Sequence, residues 1–152
     1  GATAVARNHA IIDRPLVVEL VRDTASADSF ALGDALAGGN PTQLLQIFHT
    51  LIRLGESPQL LLALVASTLR TLALVRDAID HSQTDQGAIA SATGLKPFVV
   101  SKHRAAAERL SFSQIVDLTT QLATLDLDSK CGKIGAELGL ELFLLKAITP
   151  AT

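Results

Sequence analysis

The chain has 152 residues, 48% of them hydrophobic and 18% charged, and its 13 Lys and Arg against 15 Asp and Glu leave a net charge of −2. That length suits one domain that closes a core without disulfides or a structural metal, and the single cysteine, Cys131, excludes a disulfide scaffold and a Cys-rich zinc site and fits a reducing compartment. With no Trp, no Tyr, five Phe and a mildly acidic balance, the chain lacks the stacking platforms and the general phosphate attraction of non-specific nucleic-acid binders.

Leu (26) and Ala (23) far outnumber Val and Ile (nine each), a balance that favours helix over strand. Asp13-Arg14-Pro15 opens a short helix through Leu16 to Val21 that ends near Arg22-Asp23. Ser26 to Asp28 cap a second, carrying Phe30, Leu32, Ala35 and Leu36 to a stop at Gly38-Gly39. Asn40-Pro41 opens a third with Leu44, Phe48, Leu51 and Ile52 at helical spacing until Gly55.

Ser57-Pro58 repeats the device and starts a long helix. Leu61, Leu64, Leu72, Val75 and Ile79 form one apolar stripe, and Leu62, Ala66, Leu69 and Ala73 cover much of another. Apolar nearly all round, it belongs at the centre of a bundle. A polar break from His81 to Asp85 leads to a short helix, Gln86 to Thr93, ended by Gly94, and a further helix runs from Pro97 through Ala105-Ala106-Ala107 to Leu110. Ser111 or Ser113 caps the next, in which Ile115, Leu118, Leu122 and Leu125 oppose Gln114, Asp117, Gln121 and Asp128. Gly132 interrupts it, and a last helix carries Ile134, Leu138, Leu142 and Leu145. The pattern predicts an all-α fold, a bundle of about six to eight helices, with no strand and no tandem repeat.

Neither an export signal nor a membrane span is expected. Gly1-Ala2-Thr3-Ala4 lacks the basic start and apolar block of a signal peptide, the start reads as that of an excised fragment, and the longest apolar run, Leu60 to Ala66, is short of the roughly 20 residues a span needs.

Catalytic chemistry finds little support. His9, His49, His81 and His103 have no second ligand at helix spacing, so no metal site is expected, and His49 beside Phe48 reads as a partly buried histidine. Cys131 between Lys130 and Lys133 lacks a base and reads as a small core or boundary residue. Gly132, Gly135 and Gly139 lack the Lys-Ser/Thr of a phosphate loop and mark instead a helix start and a close approach of helices. Asp126/Asp128 and Glu137/Glu141 read as solvated surface. The one charged cluster is Lys96, Lys102, His103, Arg104 and Arg109 around a single helix, where Lys102 and Arg109, seven apart, share a face. Lys96, Lys102, Arg104 and Arg109 are therefore the candidate partner contacts, to an acidic protein or a nucleic-acid backbone, against the plainer reading of a solvated face.

Five pieces in order, Phe30 to Asn40, Leu51 to Pro58, Ile89-Ala90 with Gly94 to Val100, Asp126 to Gly132, and the Glu141-Leu142 region, resemble the C-terminal part of the delta subunit of the bacterial DNA polymerase III clamp loader. The resemblance covers about 120 residues and implies residues 26–150 as the helical collar, or oligomerisation, domain and residues 1–25 as a remnant of the preceding AAA+ lid subdomain. It also implies the clamp loader that places the sliding clamp on primed DNA, with the gamma/tau and delta-prime subunits as collar partners, in the cytoplasm at the replisome. The sliding clamp would be met only by an N-terminal part outside this chain, and DNA only indirectly. No catalytic, cofactor-binding or metal residue carries over, so the fragment is expected not to be an enzyme, although its parent subunit would be part of the DNA polymerase III holoenzyme. The rival expectations are a helical domain holding a small apolar ligand and a DNA contact through the Lys102 helix.

Overall fold

A computed structural model describes residues 27–148, so the expected helix over residues 13–23 and His9 lie outside the described residues. Seven helices follow: α1 (Ala27–Gly38), α2 (Pro41–Arg53), α3 (Pro58–Asp80), α4 (Gln86–Thr93), α5 (Pro97–Arg109), α6 (Phe112–Lys130) and α7 (Ala136–Ile148), with no strand among the described residues.

Short polar side chains set the starts. Asn40 Oδ1 accepts the Gln43 amide at 3.0 Å before α2, and Ser57 Oγ accepts those of Gln59 and Leu60 at 3.2 and 3.4 Å before α3. Asp85 Oδ2 accepts from Ala88 N at 3.1 Å before α4. Between the two serines open to cap α6, Ser111 does it, in a reciprocal box: Gln114 N donates to Ser111 Oγ at 3.1 Å and Ser111 N to Gln114 Oε1 at 2.8 Å. Lys96 holds extended backbone (φ −70°, ψ 145°) before Pro97, so α5 begins on its proline without a side-chain cap. Gly94 and Gly132, with φ near +77°, end α4 and follow α6, conformations a side chain would strain.

The expected central helix is central. α3 packs against α1, α4, α5, α6 and α7 and buries Leu61, Leu62, Leu64, Val65, Leu69, Leu72 and Val75, while Ala66 faces outward. Among the described residues α3 alone is long and apolar enough, by length and composition, to cross a membrane, and just over half of that stretch is buried within the bundle. α2 lies at one edge between α1 and α7, with Leu44, Phe48 and Leu51 turned inward. On α6, Ile115 and Leu122 are buried and Leu118 and Leu125 half-buried against the core, as the periodicity predicts.

Gly139 lets α7 approach α6, since a Cβ there would stand 2.2 Å from Leu125 Cδ1. Arg76 ties α3 to α5: its guanidinium pairs with Asp80 one turn on and donates to the Ala107 carbonyl at 3.0 Å. The hydrogen bond to Asp80 raises the Arg76 pKa, and the same bond lowers that of Asp80.

At the end of α3, the His81 Nδ1–H donates to the Asp77 carbonyl at 2.8 Å and lies 3.4 Å from the Asp77 carboxylate. The backbone bond first, and the carboxylate second, raise the pKa of His81 above its ordinary value. A raised folded pKa means that this contribution to stability is full below the unfolded pKa, roughly 6.5, and is lost as pH rises through the folded value. In an NMR pH titration, His81 is expected to titrate above its ordinary value and to move back towards it in Asp77→Asn; an unshifted His81 would contradict this geometry.

Candidate interaction surface

The face that Lys102 and Arg109 share turns towards α1. Lys102 Nζ lies 3.2 Å from Asp34 Oδ2, and Arg109 Nη2 donates to the Ala37 carbonyl at 3.3 Å, over Gly39 at the end of α1. Arg104 pairs one turn on with Glu108 at 2.8 Å. Three of the four candidate contact residues are thus already engaged within the domain, two of them binding α5 to α1. Lys96 stands apart from them, exposed at the start of α5.

Two expectations about histidine change places. His49 is exposed and contacts Glu141 of α7 at 2.5 Å, a bridge between α2 and α7, whereas His103, read with the basic cluster, is the buried one, with Nδ1 donating to the Val99 carbonyl at 2.8 Å. The reason is register: His49 follows the inward Phe48 by one position, while His103 shares the inward face of α5 with Val100, Ala106 and Ala107. Cys131 is exposed rather than a core residue, because it follows the last turn of α6. Asp126 pairs with Lys130 at 2.9 Å and Asp128 with Lys133 at 4.0 Å, and both carboxylates are half-buried rather than fully solvated. Among the described residues no group of three His, Cys, Asp or Glu side chains could hold a metal ion.

Among the described residues α7 carries a row of exposed apolar side chains. That helix begins at Ala136, so Ile134 precedes it, and it buries Leu140, Phe143 and Leu144. Leu138, Leu142 and Leu145, the residues that mark the last helix in the sequence, are 55%, 51% and 40% exposed. At spacings of four and three they form one stripe along the helix. A lone exposed leucine requires no explanation, but an aligned row on one helix is the mark of a contact surface. Phe112, Val116 and Leu127 make a second, sparser row on the outer side of α6. The sequence signal for the α7 stripe was present; what it lacked was any sign that the adjacent Leu140-Phe143-Leu144 face would take the core.

A groove of about 620 Å³ runs beside this surface, its floor including Leu69, Leu72 and Leu118 and its rim Arg109, Asp117 and Lys146. Lys146 follows Leu142 by one turn, so the stripe on α7 runs down to the edge of the groove.

The family model described as DNA polymerase III delta subunit, C-terminal domain, matches residues 26–147. The DNA polymerase III subunit delta of Bacillus subtilis (strain 168) is 30% identical over 129 residues, covering 85% of this chain and 37% of that protein. The solved structure of the Bacillus subtilis DNA clamp loader delta protein superposes with a TM-score of 0.67 at 30% identity, over 80% of this chain and 35% of that one. The chain therefore spans little more than a third of the length of these relatives.

Proposed function

The chain belongs to the family formed by the C-terminal domain of the DNA polymerase III delta protein, and from that membership we propose that it is the collar that holds delta in the clamp-loader ring. The observation that supports an assembly role is the exposed Leu138-Leu142-Leu145 stripe on α7, together with the sparser exposed Phe112-Val116-Leu127 row of α6. A stripe of this kind gains by being covered by another protein surface, and gamma/tau and delta-prime subunits are the proposed neighbours. Of the candidate contacts Lys96, Lys102, Arg104 and Arg109, the exposed Lys96 before α5 is proposed to help select among neighbours by charge. The other three do so only by exchanging the partners they already hold within the domain.

In this reading residues 26–150 are the collar and residues 1–25 the end of the preceding lid subdomain. The task is mechanical rather than catalytic. By holding delta in the ring, the domain lets motion in ATP-driven subunits reach the clamp-binding part of delta, which is outside this chain. The parent subunit serves the DNA polymerase III holoenzyme in the cytoplasm, at the replisome.

The test is size-exclusion chromatography with light scattering and refractive-index detection, since a chain without Trp or Tyr absorbs little near-ultraviolet light. Mixed with full-length gamma/tau and delta-prime at tens of micromolar, the chain is expected to enter a stable complex of defined mass. Failure to co-elute with either partner would overturn the reading.

A further inference from the structure

Among the described residues the three buried polar side chains, Thr68, Thr71 and His103, all line one cavity. It holds about 350 Å³ between α1, α3 and α5 and opens to the surface past Asp34, Phe98 and Lys102. That volume is at the lower end for ligand-binding clefts, and a few polar groups converging in a largely apolar lining is their usual composition. α1 comes this close to α3 because position 33 is glycine, where a Cβ would stand 2.6 Å from Thr68 Oγ1.

The lining offers hydrogen-bond acceptors and, at the mouth, one carboxylate, Asp34, already paired with Lys102 of the same lining; His103 lines it too. Thr68 Oγ1 donates to the Leu64 carbonyl and Thr71 Oγ1 to the Ser67 carbonyl, each at 3.1 Å. Their hydroxyl protons are spent, and what each oxygen still offers is acceptance. At the mouth, Asp34 and Phe98 already hold a cation: Lys102 Nζ sits 3.2 Å from Asp34 Oδ2 and 5.8 Å from the centre of the Phe98 ring. The lysine and aspartate side chains are 50% and 52% exposed, so this is the kind of ion pair that contributes little and exchanges readily.

A guanidinium suits both mouth groups better than an ammonium does. Its fork meets a carboxylate through two parallel bonds, its plane stacks on an aromatic face, and it keeps further N–H donors for other acceptors. We propose that this cavity receives the guanidinium of an arginine side chain presented by a protein partner, which takes over Asp34 and Phe98 from Lys102 and donates to the threonine oxygens. Lys102 is then an internal competitor that occupies the mouth when no partner is bound. An arginine still attached to its own backbone can enter because the cavity opens on the surface, and Phe98, 58% exposed beside it, is the ring left for stacking. The site is separate from the α7 stripe, and it stands whether or not the collar reading holds.

The test is an NMR titration of the full chain with acetyl-Gly-Arg-Gly-amide and, separately, with acetyl-Gly-Lys-Gly-amide. The arginine peptide is expected to give saturable shifts at the amides of Thr68, Thr71 and His103, with the lysine peptide binding more weakly. Asp34→Asn should weaken binding about tenfold through loss of the charge-assisted pair. Lys102→Ala should tighten it by about threefold to fivefold, the equivalent of an exposed ion pair no longer competing. Both positions are on the surface, and unchanged spectra of the free variants will show that the fold is kept. The proposal is overturned by any of four results: no saturable shift in either wild type or Lys102→Ala, equal binding by Asp34→Asn, equal binding of the lysine peptide, or weaker binding in Lys102→Ala.

Discussion

Phe48→Ala is expected to lose about 3–5 kcal/mol of folding stability, the cost of removing a large aromatic side chain from a closed core. Phe48 is fully buried, and α2, which carries it, is held at the edge of the bundle by α1 and α7 alone among its principal contacts. On α2 and the two helices it packs against, the core residues Leu32, Leu44, Leu51, Leu140 and Leu144 are fully or almost fully buried, so the core has little loose side chain with which to refill the space. A domain of this size is ordinarily stable by about 5–15 kcal/mol, so the loss takes a large share of the total. Urea unfolding followed by circular dichroism will measure it; a change below about 1 kcal/mol would mean that the core collapses around the vacancy.

Leu138→Asp combined with Leu142→Asp is expected to leave that stability within roughly 0.5 kcal/mol for each change, because both positions face water in the isolated domain. The same pair of substitutions should weaken association with the clamp-loader partners by about 30-fold or more, the loss of a contact residue worth about 2 kcal/mol. The charge would have to be buried without a partner at the apolar centre of a contact, which is where single residues matter most. Light scattering on mixtures, with unfolding curves of the variants alone, separates the two effects. Normal assembly by the double variant would remove the α7 stripe from the interface and leave the collar reading to be supported by another face.

These two residue sets show where one-dimensional information ends. Phe48 and Leu138 both sit at helical spacing with other apolar residues, and nothing local distinguishes them. One is turned to the core and the other to water. On α7 the apolar residues cover so much of the helix that the row selected by spacing, Leu138-Leu142-Leu145, and the row that packs, Leu140-Phe143-Leu144, are equally plausible as the inner face. Gly139 lies on the side that meets Leu125 of α6, a contact with another helix that local sequence does not announce.

The basic cluster divides in the same way. That Lys102 and Arg109 lie on one face follows from seven-residue spacing, but that this face meets Asp34 and the end of α1 follows from packing, since Asp34 is 68 residues from Lys102. The convergence of Thr68, Thr71 and His103 on one cavity has no sequence signature at all, because two helices contribute to it and a third supplies the glycine that brings the walls together.

What the sequence determined by itself is local. Caps at Asn40, Ser57, Asp85 and Ser111, prolines at the first turns of α2, α3 and α5, and glycines after α4 and α6 set the helix boundaries, because each acts through its own backbone or a residue three positions away. The central place of α3 was legible too, since a helix apolar nearly all round is best accommodated among other helices. The tertiary structure alone decided which histidine is buried, which leucines face water and which charges are already paired. Those outcomes depend on the rotation of each helix against neighbours distant in sequence, and hydrophobic contact is non-directional enough to leave that rotation open until the helices meet.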